Sequence, residues 1–337
     1  MLRIGNESTQ LLFLPGDREW DNAGKKGLKK VKFLEEYLVN NGGQRHHFLT
    51  EKGCPGPEVF DVGDHLRILA LNTHWFVHDH RRPEEEDADC DLLNESELWE
   101  ELEDLVQSDG DRNVDIAAHH PALSYGRYAG YRQVAQHFLP PVVGTFMAAY
   151  HQNIGNYKDL SCQGMDTYSG RFESLLERFH GLIYVSGHEY DIQVNSREDN
   201  YHITSGSAAK KLPSAKGEFS KYRHPASGIV QLRFFDDGQV DMLVHEQREK
   251  QSAFLEAHQR NLYSSPCKPA SEKDQTPANE QFLPCKKLLY PSAVESTVQT
   301  GKTSAIAGKE YKKGFPHRLF IGRHYRKAWT TGVDQIR

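Results

Sequence analysis

The chain has 337 residues, of which 37% are hydrophobic and 26% are charged, and its formal net charge is −6. This composition excludes a wholly disordered or membrane-embedded chain, and the acidic excess argues against a dedicated nucleic-acid binder, which would carry a basic domain. The sequence also contains 18 histidines, the side chain most used for metal ligation and for proton transfer near neutral pH. Histidines are therefore the first candidates for functional residues.

The first two thirds of the chain predict alternating strands and helices. Short apolar runs indicate buried strands, and apolar residues three or four positions apart indicate amphipathic helices. The predicted strands are 11–14, 66–72, 114–118 and 182–186, and the predicted helices are 27–40, 95–106 and one that ends at 175–179. From residue 191 the period changes to two, which predicts antiparallel strands at 191–195, 201–204, 229–235 and 240–245. These elements predict an α/β (α+β) domain.

The composition changes after residue 245. Residues 246–260 predict a polar helix, and residues 264–307 are rich in Ser, Thr, Pro, Lys and Gln, which is typical of a linker. The last segment is basic and aromatic, as in a tether or a part of a following domain. The predicted divisions are therefore 1–245 for the α/β domain, 246–307 for the polar helix and linker, and 308–337 for the basic-aromatic segment.

The cysteines and the apolar runs leave the compartment open. Five scattered cysteines without C-x-x-C spacing predict neither a disulfide framework nor a structural zinc site. The apolar run 11–14 is too short for a signal peptide, and no stretch reaches the ~20 apolar residues of a membrane helix. We therefore expect no transmembrane helix and no nucleic acid as a specific partner.

Three loops that directly follow predicted strands carry residues suited to metal or phosphate chemistry. They are the segments Pro15–Trp20, Ala118–Pro121 and Ser186–Tyr190. Each loop alone is compatible with an ordinary turn, but loops at the carboxyl ends of strands in an α/β sheet meet at one crevice. Imidazole and carboxylate ligands together suit Mn, Fe or Zn, ions that support phosphate-ester hydrolysis by a metal-activated water. The three loops therefore predict one shared metal site.

Two other segments carry residues found in binding sites, but each favours a structural role. The histidine-dense segment 74–82 favours a solvated loop that borders the pocket over a separate zinc site. The segment 205–211 lacks the spacing of a P-loop and favours a glycine-containing turn. The sequence has no G-x-S-x-G elbow, which disfavours a serine hydrolase of that type.

The three loops, in this order, resemble motifs of the calcineurin-like metallophosphoesterases. Gly16-Asp17-Arg18-Glu19 resembles the Gly-Asn-His-Asp/Glu motif, His119 the lone strand-end histidine, and Gly187-His188-Glu189-Tyr190 the Gly-His-x-His motif. The segments Gly53–Glu58, Asn72–Trp75 and Ser205–Ser207 are similar to a bacterial envelope branch, whose long members join a phosphatase domain to an outer-membrane domain. The resemblance spans Leu11 to about His245.

This resemblance implies a four-layer α/β/β/α sandwich that is N-terminally incomplete, because the first two motifs of the family have no counterpart here. It implies that Asp17, His119 and His188 bind at least one divalent metal ion. A second ion would lack a ligand, since Tyr190 stands where the family has a histidine. Arg18 replaces the histidine that is expected to protonate the leaving group, and its guanidinium would instead neutralise a phosphoryl oxygen. Glu19 would orient the Arg18 side chain.

The predicted function is a metal-dependent phosphoesterase, a hydrolase of phosphate mono- or diesters that acts by metal-activated water and that the missing motifs would impair. The alternative, which Arg18 and Tyr190 favour, is a catalytically inactive phosphoesterase-like domain that serves as a binding or structural module. A third interpretation is a truncated product. The envelope branch implies a phosphate-ester substrate, a location in the cell envelope or periplasm, and outer-membrane association through a missing C-terminal domain.

Overall fold

The computed structural model describes residues 9–83, 90, 94–108, 112–129, 160, 163–206, 210–235, 238–247, 254–263 and 317–321. Within these ranges the chain forms three α-helices and thirteen strands. The helices are α1 (Gly27–Gly42), α2 (Glu95–Ser108) and α3 (Gln163–Leu176). The strands are β1 (Leu11–Phe13), β2 (His46–Phe48), β3 (Glu58–Val62), β4 (Leu66–Leu71), β5 (Asn113–Ala118), β6 (Ile183–Ser186), β7 (Ile192–Arg197), β8 (Asn200–Thr204), β9 (Ser220–His224), β10 (Ser227–Phe234), β11 (Val240–Gln247), β12 (Phe254–Tyr263) and β13 (His317–Ile321).

The strands form two large sheets and one short parallel pair. The seven-stranded sheet has the order β3-β4-β5-β6-β8-β7-β9, and its strands β4, β5, β6 and β8 run parallel. The four-stranded sheet is antiparallel, with the order β12-β11-β10-β13, and β1 pairs with β2. Strands β4, β5 and β6 are nearly continuous apolar runs because both faces of a parallel sheet are buried.

The seven-stranded sheet is covered on both faces. On one face, Leu102 of α2 and Phe172 of α3 pack in a core with Ile116 of β5. On the other face, a second core joins this sheet to the four-stranded sheet, with Val194 and Leu232 on opposite sides. Each fully buried side chain of this kind stabilises the fold by roughly 1.5–3 kcal/mol. Two facing sheets with helices on one outer face confirm the predicted α/β (α+β) class.

Helix α1 packs against the β1-β2 pair and not against either large sheet core. Its buried residues Leu28, Val31 and Leu38 form a small core with Trp20 and Phe48. The indole of Trp20 is completely buried there. Helix α1 therefore fixes the loop after β1, which carries the first predicted motif.

Most predicted elements are present with small shifts at their ends, whereas β2, β3, β9 and β13 were not predicted. Strand β2 has only three residues, and β3 and β9 form the two edges of the larger sheet. The residues of β3 and β9 are exposed or half-buried, so these two strands lack the apolar run that indicates a buried strand. Strand β8 also pairs with β6 in parallel, so it does not belong to a purely antiparallel region.

The polar helix predicted for 246–260 is wrong. Strand β11 continues to Gln247, and β12 pairs with it across Phe254–Tyr263. A polar sequence is compatible with an edge strand, and pairing with β11 outweighs helix propensity here. Leu262 is buried in the core between the sheets, so that core extends beyond residue 245. The division of the chain at residues 245 and 307 stays a prediction, although β12 and β13 both join the four-stranded sheet.

Cys54 and Cys90 form a disulfide that the cysteine pattern did not predict. Their sequence separation is 36 residues, and spacing alone does not give the pairing of distant cysteines. The acidic segment 84–89 and the predicted linker at 264–307 lie outside the described residues. None of the helices in the described ranges combines the length and the apolar composition needed to cross a membrane.

Candidate metal centre

Three loops converge at the carboxyl ends of strands. Asp17 lies four residues after β1, His119 and His120 directly follow β5, and His188 lies two residues after β6. Strands β5 and β6 are parallel neighbours, so their carboxyl ends lie side by side. The structure thus brings together Asp17, His119 and His188, the three residues predicted as metal ligands.

The carboxylate of Asp17 lies at the centre of this cluster. Its Oδ1 lies 3.3 Å from Nε2 of His119 and 3.3 Å from Nε2 of His120, and its Oδ2 lies 3.2 Å from Nδ1 of His188. The nitrogens of His119 and His188 are themselves 3.3 Å apart. One donor atom from each of these four residues lies within 4.8 Å of the other three, so the group could hold a metal ion.

The loops approach this closely because two glycine-containing turns allow it. A Cβ atom at Gly16 would lie 2.5 Å from Nδ1 of His119, so a larger residue at this position would displace the imidazole. The amide of Gly187 donates a hydrogen bond of 3.1 Å to the carbonyl of His119. His188 has a left-handed backbone, with φ of 63°, in a turn closed by a 2.7 Å bond from the Glu189 amide to the Gly187 carbonyl. Such strain in a non-glycine residue is typical of functional sites.

His74 also contacts the central carboxylate, and it was not predicted as part of the site. Its Nδ1 lies 3.3 Å from Oδ1 of Asp17, and its side chain is fully buried. The solvated loop predicted for this segment is wrong for His74 and His78, because Trp75 and Phe76 pack into the core beside α2 and α3. The position of His74, three residues after β4, is the signal that could have identified it, since β4 neighbours β5.

The segments around Asn72 and Gly53 are joined by hydrogen bonds beside His74. The Asn72 side chain accepts a 3.1 Å hydrogen bond from the Trp20 indole and donates bonds of 3.2 Å to the carbonyls of Gly53 and Cys54. The Trp20 ring stacks on His74 with 5.7 Å between ring centroids. These motif residues therefore have a packing role that fixes the position of His74.

Burial and neighbouring charges set the protonation of the cluster. Burial alone would raise the pKa of Asp17, but the nearby imidazoles of His188 and His119 outweigh it and hold the pKa well below its usual value. Burial lowers the pKa of His120 to about 3, so this imidazole is neutral near pH 7. Neutral imidazole and ionised carboxylate are the forms that bind metal ions.

Two further groups line the cluster on the side of His188. The ring of Tyr128 packs on His188 with 4.7 Å between centroids, and burial together with the neighbouring Tyr190 raises the pKa of Tyr128 to about 12. The carboxyl group of Glu189 is buried and accepts hydrogen bonds from the Ser124 hydroxyl at 3.3 Å and the Tyr128 amide at 3.0 Å. Burial raises the pKa of Glu189 to about 7.

The donor atoms of the cluster fit a divalent ion. Oδ1 of Asp17 and Nε2 of His120 are buried and make no hydrogen bond within the described part of the chain, a costly state that an ion would relieve. Two nitrogens bound at ~2.0–2.1 Å to one tetrahedral ion would lie roughly 3.3–3.4 Å apart. The corresponding separation between His119 and His188 is 3.3 Å.

The residues predicted as catalytic lie at the edge of this group. Arg18 is solvent-exposed, and Glu19 accepts a 3.0 Å hydrogen bond from the amide of Gly16. Tyr190 is half-buried, with the ammonium of Lys210 4.9 Å from its ring centroid, and it is not among the four residues of the candidate metal group. The roles predicted for Arg18 and Glu19 toward a substrate stay predictions.

No family model matches the chain, and no curated protein matches it. Two solved structures are similar to parts of it. One is GAP50, the anchor in the inner membrane complex of Plasmodium, with 14% identity and a TM-score of 0.46 over 77% of this chain and 70% of that chain. The other is PhoD, with 9% identity and a TM-score of 0.38 over 61% of this chain and 44% of that chain.

Proposed function

We propose that this protein is a metal-dependent phosphoesterase that hydrolyses phosphate monoesters or diesters. The observation that supports the proposal is the buried group of Asp17, His119, His120 and His188, whose donor atoms suit a divalent ion such as Mn, Fe or Zn. Asp17, His119 and His188 would be the ligands. Bound there, the ion would polarise a phosphoryl oxygen and activate a water molecule for attack on phosphorus.

The residues of the chain would bind and orient the reacting groups. Asp17 would carry the negative charge that offsets the cation, because a carboxylate binds a metal ion in its ionised form. Arg18 is the exposed residue next to Asp17, and its guanidinium would pair with a phosphoryl oxygen. A guanidinium cannot donate a proton as a general acid near neutral pH. Glu19 would hold the turn that carries both residues, through its hydrogen bond to the Gly16 amide.

Hydrolysis of p-nitrophenyl phosphate and of bis-p-nitrophenyl phosphate by the purified full chain tests this proposal. We expect turnover with added Zn²⁺ or Mn²⁺, and a loss of about 100-fold or more in kcat/KM in His119→Ala and in His188→Ala. His80→Ala removes an exposed histidine outside the cluster and should leave the rate unchanged. Turnover that is indifferent to both cluster substitutions would contradict the proposal.

A catalytically inactive module that binds a partner or has a structural role is the second candidate. Tyr190 favours it, because a phenol is a poor metal ligand near neutral pH and this one packs under the ammonium of Lys210. This candidate predicts metal binding that depends on His119 and His188 together with no hydrolysis of either ester. The same variants therefore separate the two functions.

A further inference from the structure

The second histidine of the pair after β5 is buried as deeply as any residue of the cluster. His120 is 0% exposed, and its ring centroid lies 4.5 Å from that of His188. Its Nε2 lies 3.3 Å from Oδ1 of Asp17 and makes no hydrogen bond within the described residues. His202 is likewise buried with both ring nitrogens unpaired within the described residues, so burial alone does not mark a ligand. His120 differs because its unpaired Nε2 lies beside the central carboxylate of the cluster.

Every other polar atom of His120 is anchored. Its Nδ1 lies 2.9 Å from the hydroxyl of Thr73, and its backbone amide donates a 3.0 Å hydrogen bond to the same oxygen. Its carbonyl accepts a 2.7 Å hydrogen bond from the hydroxyl of Tyr184, which in turn lies 3.0 Å from the hydroxyl of Tyr168. Nε2 is thus the one polar atom of His120 that lacks a well-aligned hydrogen bond within the described residues, and it lies 3.3 Å from Oδ1 of Asp17.

Thr73 is placed to set the tautomer of His120. It is fully buried and begins the 3-10 helix Thr73–Val77, directly after β4 and Asn72. When Nδ1–H of His120 donates to the Thr73 hydroxyl, the lone pair remains on Nε2. Histidines that bind metals almost always donate the other ring N–H to an oxygen in this way.

We propose that His120 is a fourth ligand, through Nε2, to the ion held by Asp17, His119 and His188, and that Thr73 is the positioning residue that selects its ligating tautomer. This inference rests on the metal site of the proposed function and adds a residue that the sequence motifs do not assign. Three imidazoles and one carboxylate favour Zn²⁺ or Co²⁺ over Mg²⁺ and Ca²⁺, which prefer oxygen ligands. Zn²⁺ and Co²⁺ are therefore the ions that best probe this site.

Metal titration of the full chain tests the inference without reference to activity. Dissociation constants for Zn²⁺ and Co²⁺ would be measured by competition with a chromophoric chelator, and the visible absorption of bound Co²⁺ would report its coordination. His120→Ala is expected to weaken Zn²⁺ binding by about 100-fold or more and to change the Co²⁺ spectrum, and Thr73→Val to weaken binding by about 10–100-fold. Thr73→Ser keeps the hydroxyl and should restore affinity to within about threefold of wild type.

Controls separate failure of this inference from failure of the proposed function. His80→Ala should bind like wild type, and His120→Gln replaces His120→Ala if the alanine variant does not fold. Wild-type affinity and spectrum in both the His120 and the Thr73→Val variants, with binding lost in His119→Ala, would overturn the inference and leave the three-ligand site intact. No Zn²⁺ or Co²⁺ binding by wild type would overturn the proposed function and this inference with it.

Discussion

At the scale of single residues, one carboxylate organises the candidate site. Oδ1 of Asp17 lies 3.3 Å from a ring nitrogen of each of His74, His119 and His120. Oδ2 of Asp17 lies 3.2 Å from Nδ1 of His188. Four imidazoles around one buried acid form a donor-rich pocket that a cation would stabilise. Because its residues are closely packed, a substitution that adds even one methyl group to this pocket should destabilise it.

Gly16→Ala tests how tightly the pocket is packed. The new Cβ would lie 2.5 Å from Nδ1 of His119, so we expect a loss of about 1–3 kcal/mol in the free energy of unfolding, and metal affinity about tenfold weaker. Gly170→Ala is the matched control, because Gly170 lies exposed in α3 with open space around it. The free energy of unfolding of this control should rise by roughly 0.5–1 kcal/mol. Equal effects of the two substitutions in urea unfolding would contradict the packing argument.

Asp115 provides a pH-dependent prediction away from the cluster. It lies on β5 between Ile68 and Ile183, is 0% exposed, and neither of its carboxyl oxygens makes a hydrogen bond within the described residues. Burial raises its pKa well above the usual value. The folded protein therefore keeps a proton that the unfolded chain releases above a pH of about 4, so this group lowers stability as pH rises.

Asp115→Asn removes that titration. We expect the variant to be more stable than wild type by about 1–3 kcal/mol at pH 7.5, with a much smaller difference at pH 4. Urea unfolding at the two pH values measures this, and other titrating groups cancel in the difference between the proteins. A difference that is the same at both pH values, or that is larger at pH 4, would refute it.

The ligand candidates differ in how far the sequence could predict them. Asp17, His119 and His188 each follow an apolar run, so the rule that strand ends converge was enough to group them. His120 and His74 also lie just after parallel strands, but their side chains are placed by contacts between distant segments, namely the Thr73 hydroxyl and the stacked Trp20 ring. Neither contact has a signature in the spacing of residues along the chain.

At the scale of elements, the parallel strands at the centre of the larger sheet position the site. Strands β4, β5 and β6 could be predicted because burial on both faces demands apolar residues. Strands β3, β9 and β12 could not, because each lies at the edge of a sheet, where the choice of residues is less restricted. The polar sequence of β12 was compatible with a helix until pairing with β11 was known.

The disulfide between Cys54 and Cys90 is the element-scale feature that is easiest to test. It closes a separation of 36 residues and ties the loop bound by Asn72 to the segment before α2. The double variant Cys54→Ser/Cys90→Ser should lower the free energy of unfolding by about 2–4 kcal/mol, because the unfolded chain regains conformational freedom. Denaturation with and without a reductant measures this. If the reductant changes the free energy of unfolding of wild type and of the double variant equally, the disulfide does not stabilise the fold.

At the scale of the whole molecule, metal binding and folding should be coupled. The cluster joins loops from β1, β5 and β6, so an ion that binds only the folded state stabilises all three connections. At a free metal concentration 100 times the dissociation constant, binding raises the free energy of unfolding by about 2.7 kcal/mol. We expect Zn²⁺ to raise the melting temperature of wild type, and His119→Ala to show no such rise. A rise of equal size in both proteins would place binding elsewhere.

The metal content of the purified full chain tests the central claim most directly. After expression, dialysis against a weak chelator and reloading with Zn²⁺, elemental analysis by inductively coupled plasma mass spectrometry gives the number of ions per chain. We predict about one ion per chain for wild type and for His80→Ala, and a clear loss in Asp17→Ala, His119→Ala and His188→Ala. Wild-type protein without bound metal, or full metal content in all three cluster variants, would contradict the account.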